Sequence, residues 1–401
     1  MSPKLAKSMQ IALDLTRAGD LAGATRAIRK ALLGSKEEAG EPPNRAGTID
    51  LGHESWSEAG GAAKSPTGES RGFGRNFRIA RPLHEVIDAL GRLKQRVLEP
   101  GVSPDGGRHR PLQIPPGARF ETRSIGSGQG HRSFKLYIPA RPLAEPRSLL
   151  IMLHGCTQTP EDFAAGTRMN QLAEQNGFVV AYPAQPKSAN SSACWNWFNP
   201  QNQTRGAGEA QSIADLAQTL IAEFRIHPGR AYVAGLSAGG AMAAIMAATY
   251  PDVFSAVGIH SGLPYRSASD VVSALAAMRG QVSPSTQQSG NRPSVPAIVF
   301  HGSADHIVHP SNGAKIIAAH AGSREIRDGK RPEGNGRSFR RMITRDDNGL
   351  VRAEYWIIEG GGHAWSGGST DGSFSDPLGP DASREMVRFF FEREASRLAS
   401  P

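Results

Sequence analysis

The chain has 401 residues, 38% of them apolar and 21% charged, and its 46 Lys and Arg against 37 Asp and Glu give a net charge of +9. That length holds one large α/β domain plus an extension, and no apolar run approaches the roughly 18–20 residues that a membrane-spanning helix needs. The positive excess is diffuse and comes without a nucleic-acid-binding signature, while two cysteines, Cys156 and Cys194, are too few for a disulfide framework or a cysteine zinc site.

In residues 1–33, Leu5, Met9, Ile11, Leu15, Leu21, Ala24, Ile28 and Leu32 recur at roughly helical spacing with a break at Gly19-Asp20, which predicts a helical hairpin. Its apolar stripe either packs on its own domain or docks on a granule or other anionic surface. The opening Met1-Ser2-Pro3-Lys4-Leu5 lacks the layout of a secretory signal, because Asp14, Arg17 and Asp20 interrupt the apolar positions. As numbered, it favours the cytoplasm or a granule surface. Residues 34–116 are rich in Gly, Pro and Ser and form a linker, interrupted by a short helix at 83–98 that carries Val86, Ile87, Leu90, Leu93 and Val97.

The catalytic domain is expected over 117–397. Apolar runs of strand length at 118–124, 133–138, 148–154, 177–182, 230–236, 254–260, 296–302 and 352–358 alternate with segments of helical period. This predicts a mostly parallel eight-stranded sheet flanked by helices, with helices at 208–225 and 238–250 around the strand at 230–236 and a last helix at about 381–397.

That strand ends in Gly235-Leu236-Ser237-Ala238-Gly239 and runs directly into a helix of small residues. A strand-to-helix turn this tight leaves little room for side chains beside the serine. It lifts the hydroxyl clear at the carboxyl edge of an α/β-hydrolase sheet, which makes Ser237 the candidate nucleophile. A serine needs a base held by a carboxylate, and in this fold the acid precedes the histidine. Val295-Pro296-Ala297-Ile298-Val299-Phe300-His301-Gly302-Ser303-Ala304-Asp305 is an apolar strand entering a small-residue loop that ends on an acid. Tyr355-Trp356-Ile357-Ile358-Glu359-Gly360-Gly361-Gly362-His363 is a strand, three glycines and a histidine. Asp305 and His363 complete the candidate triad. His301, His306 and His309 are assigned to loop structure or to support of Asp305, and no metal is expected.

Acyl transfer also needs backbone donors for an oxyanion, one after the nucleophile and one in the loop after an early strand. Ala238 supplies the first. In Leu149-Leu150-Ile151-Met152-Leu153-His154-Gly155-Cys156-Thr157-Gln158, Cys156 supplies the second, with Thr157 as the second choice. Cys194 lies in the aromatic segment Cys194-Trp195-Asn196-Trp197-Phe198, and Cys156 and Cys194 either form a disulfide across the two loops or remain separate buried thiols. Trp195, Trp197 and Trp365 are expected to line an apolar acyl pocket together with His154 and Thr157.

Together, His154-Gly155-Cys156-Thr157-Gln158, Cys194-Trp195-Asn196-Trp197-Phe198, Gly235-Leu236-Ser237-Ala238-Gly239, His301-Gly302 with Asp305, and Gly361-Gly362-His363 resemble the polyhydroxybutyrate depolymerase family of esterases, relatives of feruloyl and acetylxylan esterases. The resemblance covers about residues 117–395. It implies a cofactor-free hydrolase that cleaves short-chain hydroxyalkanoate esters, polymer or oligomer, through an acyl-enzyme with Ser237, Asp305 and His363 as its triad. Members are often secreted, which implies an extracellular location, whereas this chain begins with a helical extension. Two rival readings are a feruloyl or acetyl esterase acting on plant polysaccharide, and a granule-surface protein with weak hydrolysis.

Overall fold

The computed structural model describes residues 112–126, 131–145, 147–281, 295–319, 323–329 and 336–398. The hairpin expected over 1–33, the linker as far as 111 and its short helix at 83–98 lie outside the described residues. Each of the eight expected strands has a counterpart: β1 Arg119–Ile125, β2 Arg132–Ile138, β3 Leu149–Leu153, β4 Val179–Pro183, β5 Ala231–Leu236, β6 Ala256–His260, β7 Ala297–Gly302 and, after two further strands, β10 Val351–Ile358. The additions, β8 Ser323–Gly329 and β9 Phe339–Arg345, extend the sheet to ten strands in the order β1-β2-β4-β3-β5-β6-β7-β10-β9-β8.

The expected count of eight is therefore short by two, and the reason is chemical. Phe339-Arg340-Arg341-Met342-Ile343-Thr344-Arg345 carries arginines on both faces and has no long apolar run, as suits a strand near a sheet margin. It pairs antiparallel with both β10 and β8. Arg341 and Arg388 both reach the buried carboxylate of Glu354, at 2.6 and 2.7 Å, so that charge is compensated from β9 and from the last helix.

The central strands are buried on both faces, which is why they appear in the sequence as continuous apolar runs. In β3, Leu149, Ile151 and Leu153 face a cluster formed with Ile213 and Leu216 of α3 (Gly208–Phe224) and with Met242 and Ile245 of α4 (Ala238–Thr249). Leu150 and Met152 face the opposite cluster, with Met169 and Leu172 of α2 (Met169–Asn176) and Met386, Phe389 and Phe390 of α7 (Ala382–Leu398). The remaining helices are α1 (Pro160–Thr167), α5 (Val271–Met278) and α6 (Ser311–Ala318). This is an α/β-hydrolase sheet with helices on both faces.

Candidate active site

β3, β5, β6, β7 and β10 are consecutive neighbours, all paired in parallel. Their carboxyl ends therefore share one edge of the sheet. Cys156 follows β3, Ser237 follows β5, Asp305 follows β7 and His363 follows β10, so residues far apart in sequence emerge at one edge.

Ser237 has φ 58° and ψ −118°, a backbone conformation that costs a non-glycine residue about 1–3 kcal/mol. Its N–H donates to the carbonyl of His260 at 2.9 Å, which fixes the turn against β6. A Cβ on Gly239 would collide with the carbonyls of Leu153 and His154, so the turn can pass beside β3 only with glycine there. The helix α4 that follows is made of small apolar residues and is buried almost throughout. It has no side-chain cap at Ser237, which leaves the N–H of Ala238 at the positive end of the helix beside the serine.

His363 Nδ1–H donates to Asp305 Oδ2 at 2.8 Å. With its proton committed to the carboxylate, the ring keeps Nε2 as its basic nitrogen. Asp305 is 3% exposed, and its Oδ1 accepts the N–H groups of Ile307 and Val308, both at 2.9 Å. Burial by itself would raise this carboxyl, but the charge of His363 and the hydrogen bonds from His301 and His363 prevail and hold it well below the ordinary carboxylate range. His301 Nε2 lies 2.8 Å from the carbonyl of Val308 and 3.4 Å from Asp305 Oδ2, and so supports the acid. His309 is engaged with Ser311 Oγ at 2.9 Å.

The acid and base loops are joined through backbone. Ser303 N–H donates to Ile358 O and Ala304 N–H to Gly361 O, each at 2.9 Å, and Ser303 Oγ accepts Gly360 N–H at 2.9 Å. Gly302 passes so close to Gly361 and Gly362 that a Cβ would overlap their carbonyls.

The loop after β3 is braced from several sides. Cys156 and Cys194 form a disulfide, and Thr157 N–H donates to Ser192 O at 2.7 Å. That bond occupies the second-choice oxyanion donor, so Thr157 is set aside in favour of Cys156. Gly155 N–H donates to Gln158 Oε1 at 2.9 Å. The segment bearing Cys194 is held in turn by the buried carboxylate of Glu209, which accepts Gln185 Nε2 (2.6 Å), Asn196 Nδ2 (2.7 Å) and Asn196 N–H (2.9 Å). Neither Gln158 nor Glu209 stood out in sequence as a support of this loop. Gln158 at least closes the His154–Gln158 motif, whereas Glu209 has no local signature.

The disulfide spans a sequence separation of 38 residues. A loop of that size restricts the unfolded chain by about 4 kcal/mol in the chain-entropy account. The C156S/C194S double variant is expected to unfold about 2–4 kcal/mol more easily, measured from denaturant unfolding as a lower midpoint with a steeper slope, because the unfolded chain without the bridge exposes more surface. An unchanged midpoint would show that the bridge contributes nothing to stability.

The expected aromatic pocket wall does not form as the sequence suggested. Trp195 is 0% and Trp365 1% exposed. Their indole N–H groups donate inward, to His154 O at 3.1 Å and to Ser383 Oγ at 3.0 Å. Trp197, at 7%, packs edge-on against Phe198. His154 is also buried, with Nδ1–H donating to Gly155 O at 2.8 Å and Nε2 accepting Gln185 N–H at 3.2 Å. These residues brace the loops from behind, because a large ring at a loop base gains more from burial than from contact with water. Of the expected pocket residues, only Thr157 is exposed.

Two buried histidines have a consequence for stability. Burial is the main cause that pushes His154 down to about 4 and His260 down to about 3, from the usual value near 6.5. Both rings are neutral in the folded protein, while the unfolded chain protonates them. Their contribution is thus fully present above about pH 6.5 and is lost as the pH falls from there toward 4 for His154 and toward 3 for His260. Each ring adds about 1.4 kcal/mol per pH unit within that window. Denaturant titrations at pH 7.5, 6 and 5 should show stability falling by about 3 kcal/mol per unit below pH 6. A flat profile would mean that the rings are protonated in the folded state.

Comparison with known proteins places the chain among esterases. A family model described as esterase PHB depolymerase matches residues 132–328. Feruloyl esterase B of Neurospora crassa is 32% identical over 201 residues, covering 46% of this chain and 68% of that protein. The chain belongs to the PHB depolymerase esterase family. Within this family, poly(3-hydroxyalkanoate) depolymerase C of Paucimonas lemoignei is 33% identical over 257 residues, 61% of each chain. Acetylxylan esterase A of Emericella nidulans is 30% identical over 213 residues, 49% of this chain and 69% of that protein. The chain thus spans about three fifths to two thirds of the length of these relatives. Among solved structures, an acetyl xylan esterase from Aspergillus awamori aligns with a TM-score of 0.48 at 24% identity, covering 61% of this chain and 94% of that one.

Proposed function

We propose that this chain is a serine carboxylic-ester hydrolase that acts through an acyl-enzyme on Ser237. The observation that carries the reading is the 2.8 Å Asp305–His363 hydrogen bond, at the same sheet edge as a serine held at positive φ on a helix N-terminus. His363 Nε2 takes the proton of Ser237 as Oγ attacks the ester carbonyl. The N–H groups of Cys156 and Ala238 receive the oxyanion. His363 then passes the proton to the departing alkoxide, and a water deprotonated by the same nitrogen hydrolyses the acyl-enzyme to free acid and regenerated serine. Asp305, held as a carboxylate, keeps the imidazole in the required tautomer and stabilises its charged form.

The proposed substrates are short-chain hydroxyalkanoate esters, as polyhydroxybutyrate or its oligomers. The 257-residue match to a poly(3-hydroxyalkanoate) depolymerase, longer than the matches to the feruloyl and acetylxylan esterases named above, supports this choice. The second reading, a feruloyl or acetyl ester on plant polysaccharide, is favoured by the larger share of those esterases' own lengths that aligns. Incubating the full chain with hydroxybutyrate oligomers, polymer film, methyl ferulate and acetylated xylan, with identification of the products, separates the two. Release of 3-hydroxybutyrate is expected. Release of ferulate or acetate alone would transfer the assignment to the second reading.

A further inference from the structure

We propose that His260 is a positioning residue for the triad, which locks the loop of His363 onto the turn that carries Ser237. The inference rests on the triad reading above. β6 lies between the strand of the nucleophile and the strand of the acid, yet it supplies no member of the triad. Its last residue nevertheless touches the segments of all three. The His260 carbonyl accepts the N–H of Ser237 at 2.9 Å. Its ring stacks on Phe300 of β7, five residues before Asp305, with centroids 5.8 Å apart and planes at 10°. The ring also stacks on Trp365, two residues after His363, at 5.2 Å and 26°. Finally, Nε2 accepts the N–H of Ser366 at 3.0 Å.

Because Nε2 accepts a backbone N–H, the ring proton resides on Nδ1, which lies 3.2 Å from Ser261 Oγ. Burial keeps the ring neutral, so the acceptor persists throughout the pH range in which an imidazole base can act. The His363 loop needs such a clamp. It leaves β10 through three consecutive glycines, the residues least able to hold a direction by themselves. On its near side it is tied to the acid loop through Gly361. On its far side, Trp365 and Ser366 form the short strand β11, which pairs with β12 (Ser375–Asp376), and His260 connects this strand, through its ring, to the nucleophile turn, through its backbone carbonyl.

Removing the acceptor leaves the buried N–H of Ser366 without a partner and releases the far end of the loop. A displacement of about 1 Å at the base is enough to cost roughly 10²-fold in turnover. The test is steady-state hydrolysis of p-nitrophenyl butyrate by the full chain, together with the rate at which a p-nitrophenyl phosphonate labels Ser237. His260→Phe keeps a stacking ring and removes the acceptor. His260→Gln places an amide oxygen where Nε2 was.

For His260→Phe, kcat should fall about 10²-fold with KM within about threefold, and labelling of Ser237 should slow in parallel. His260→Gln should retain kcat within about tenfold of the parent. A folded His260→Phe protein with kcat within about threefold of the parent would overturn the proposal. If His260→Phe does not fold, His260→Asn replaces it, because its shorter amide reaches the position of Nδ1 and not that of Nε2. His260→Gln should then exceed His260→Asn at least about tenfold in kcat, and equal values would overturn the proposal. A parent chain that neither turns over ester nor labels at Ser237 defeats the triad reading itself. An active parent with an unimpaired His260→Phe variant defeats only the role of His260.

Discussion

Ser237→Ala should lower ester turnover by about 10⁴–10⁶-fold and leave the fold intact. The loss is large because the remaining groups have nothing to activate: without Oγ no acyl-enzyme forms, and His363 is left to deprotonate an unpositioned water. The fold should persist because the backbone N–H of residue 237 still reaches His260 O, and the glycine that allows the close turn is unchanged. Alanine tolerates the observed φ of 58° about as poorly as serine does, so the strain is common to both proteins. The measurement is kcat/KM on p-nitrophenyl butyrate, paired with a thermal melt. Near-parental turnover in a folded variant would remove Ser237 from the mechanism.

Asp305→Asn is the second large effect, expected at about 10⁴-fold in kcat. The carboxylate has two tasks, and an amide fails at both. It accepts the Nδ1 proton of His363 and so selects the tautomer with a basic Nε2, whereas an amide that turns its NH₂ toward the ring selects the opposite tautomer. It also carries the negative charge that stabilises the imidazolium formed during attack. Oδ1 meanwhile receives two backbone N–H groups, which favours the amide orientation that places its oxygen there and its NH₂ toward His363. Steady-state kinetics across pH 6–9 should show kcat depressed throughout, with partial recovery only at high pH where hydroxide competes. A loss of less than about tenfold would exclude Asp305 as the partner of His363.

The extent to which the sequence revealed this site follows from the physics of each segment. Strands buried on both faces must be apolar without interruption, so Leu149–Leu153, Ala231–Leu236 and Ala297–Gly302 announced themselves. β8 and β9 did not, because an antiparallel pair at the margin of a sheet needs no continuous apolar run. The nucleophile turn was legible because close approach of Gly239 to β3 restricts residue type at a fixed spacing. Asp305 and His363 were legible because each ends an apolar strand in a small-residue loop.

The tryptophans were misjudged for a definite reason. Proximity to a motif places an indole near a site without stating which way it faces. Here Trp195 and Trp365 gain more by burying the ring and satisfying the N–H inward. His260 was missed because it closes a buried strand and its contacts with Ser237, Phe300, Trp365 and Ser366 lie more than twenty positions away, which leaves no local pattern.

The sequence by itself determined the order along the chain of the eight expected strands and the tight turn at Ser237, and it pointed to Asp305 and His363 as the candidate acid and base, since each depends on local periodicity or on room for side chains at fixed spacing. Only the tertiary structure decided that Cys156 and Cys194 are bridged, that Thr157 N–H is already occupied, that the indoles turn inward and that His260 touches the nucleophile turn, β7 and the segment after His363. Those outcomes depend on distances between segments that are remote in sequence, and such distances are set by how parallel strands pair at one sheet edge.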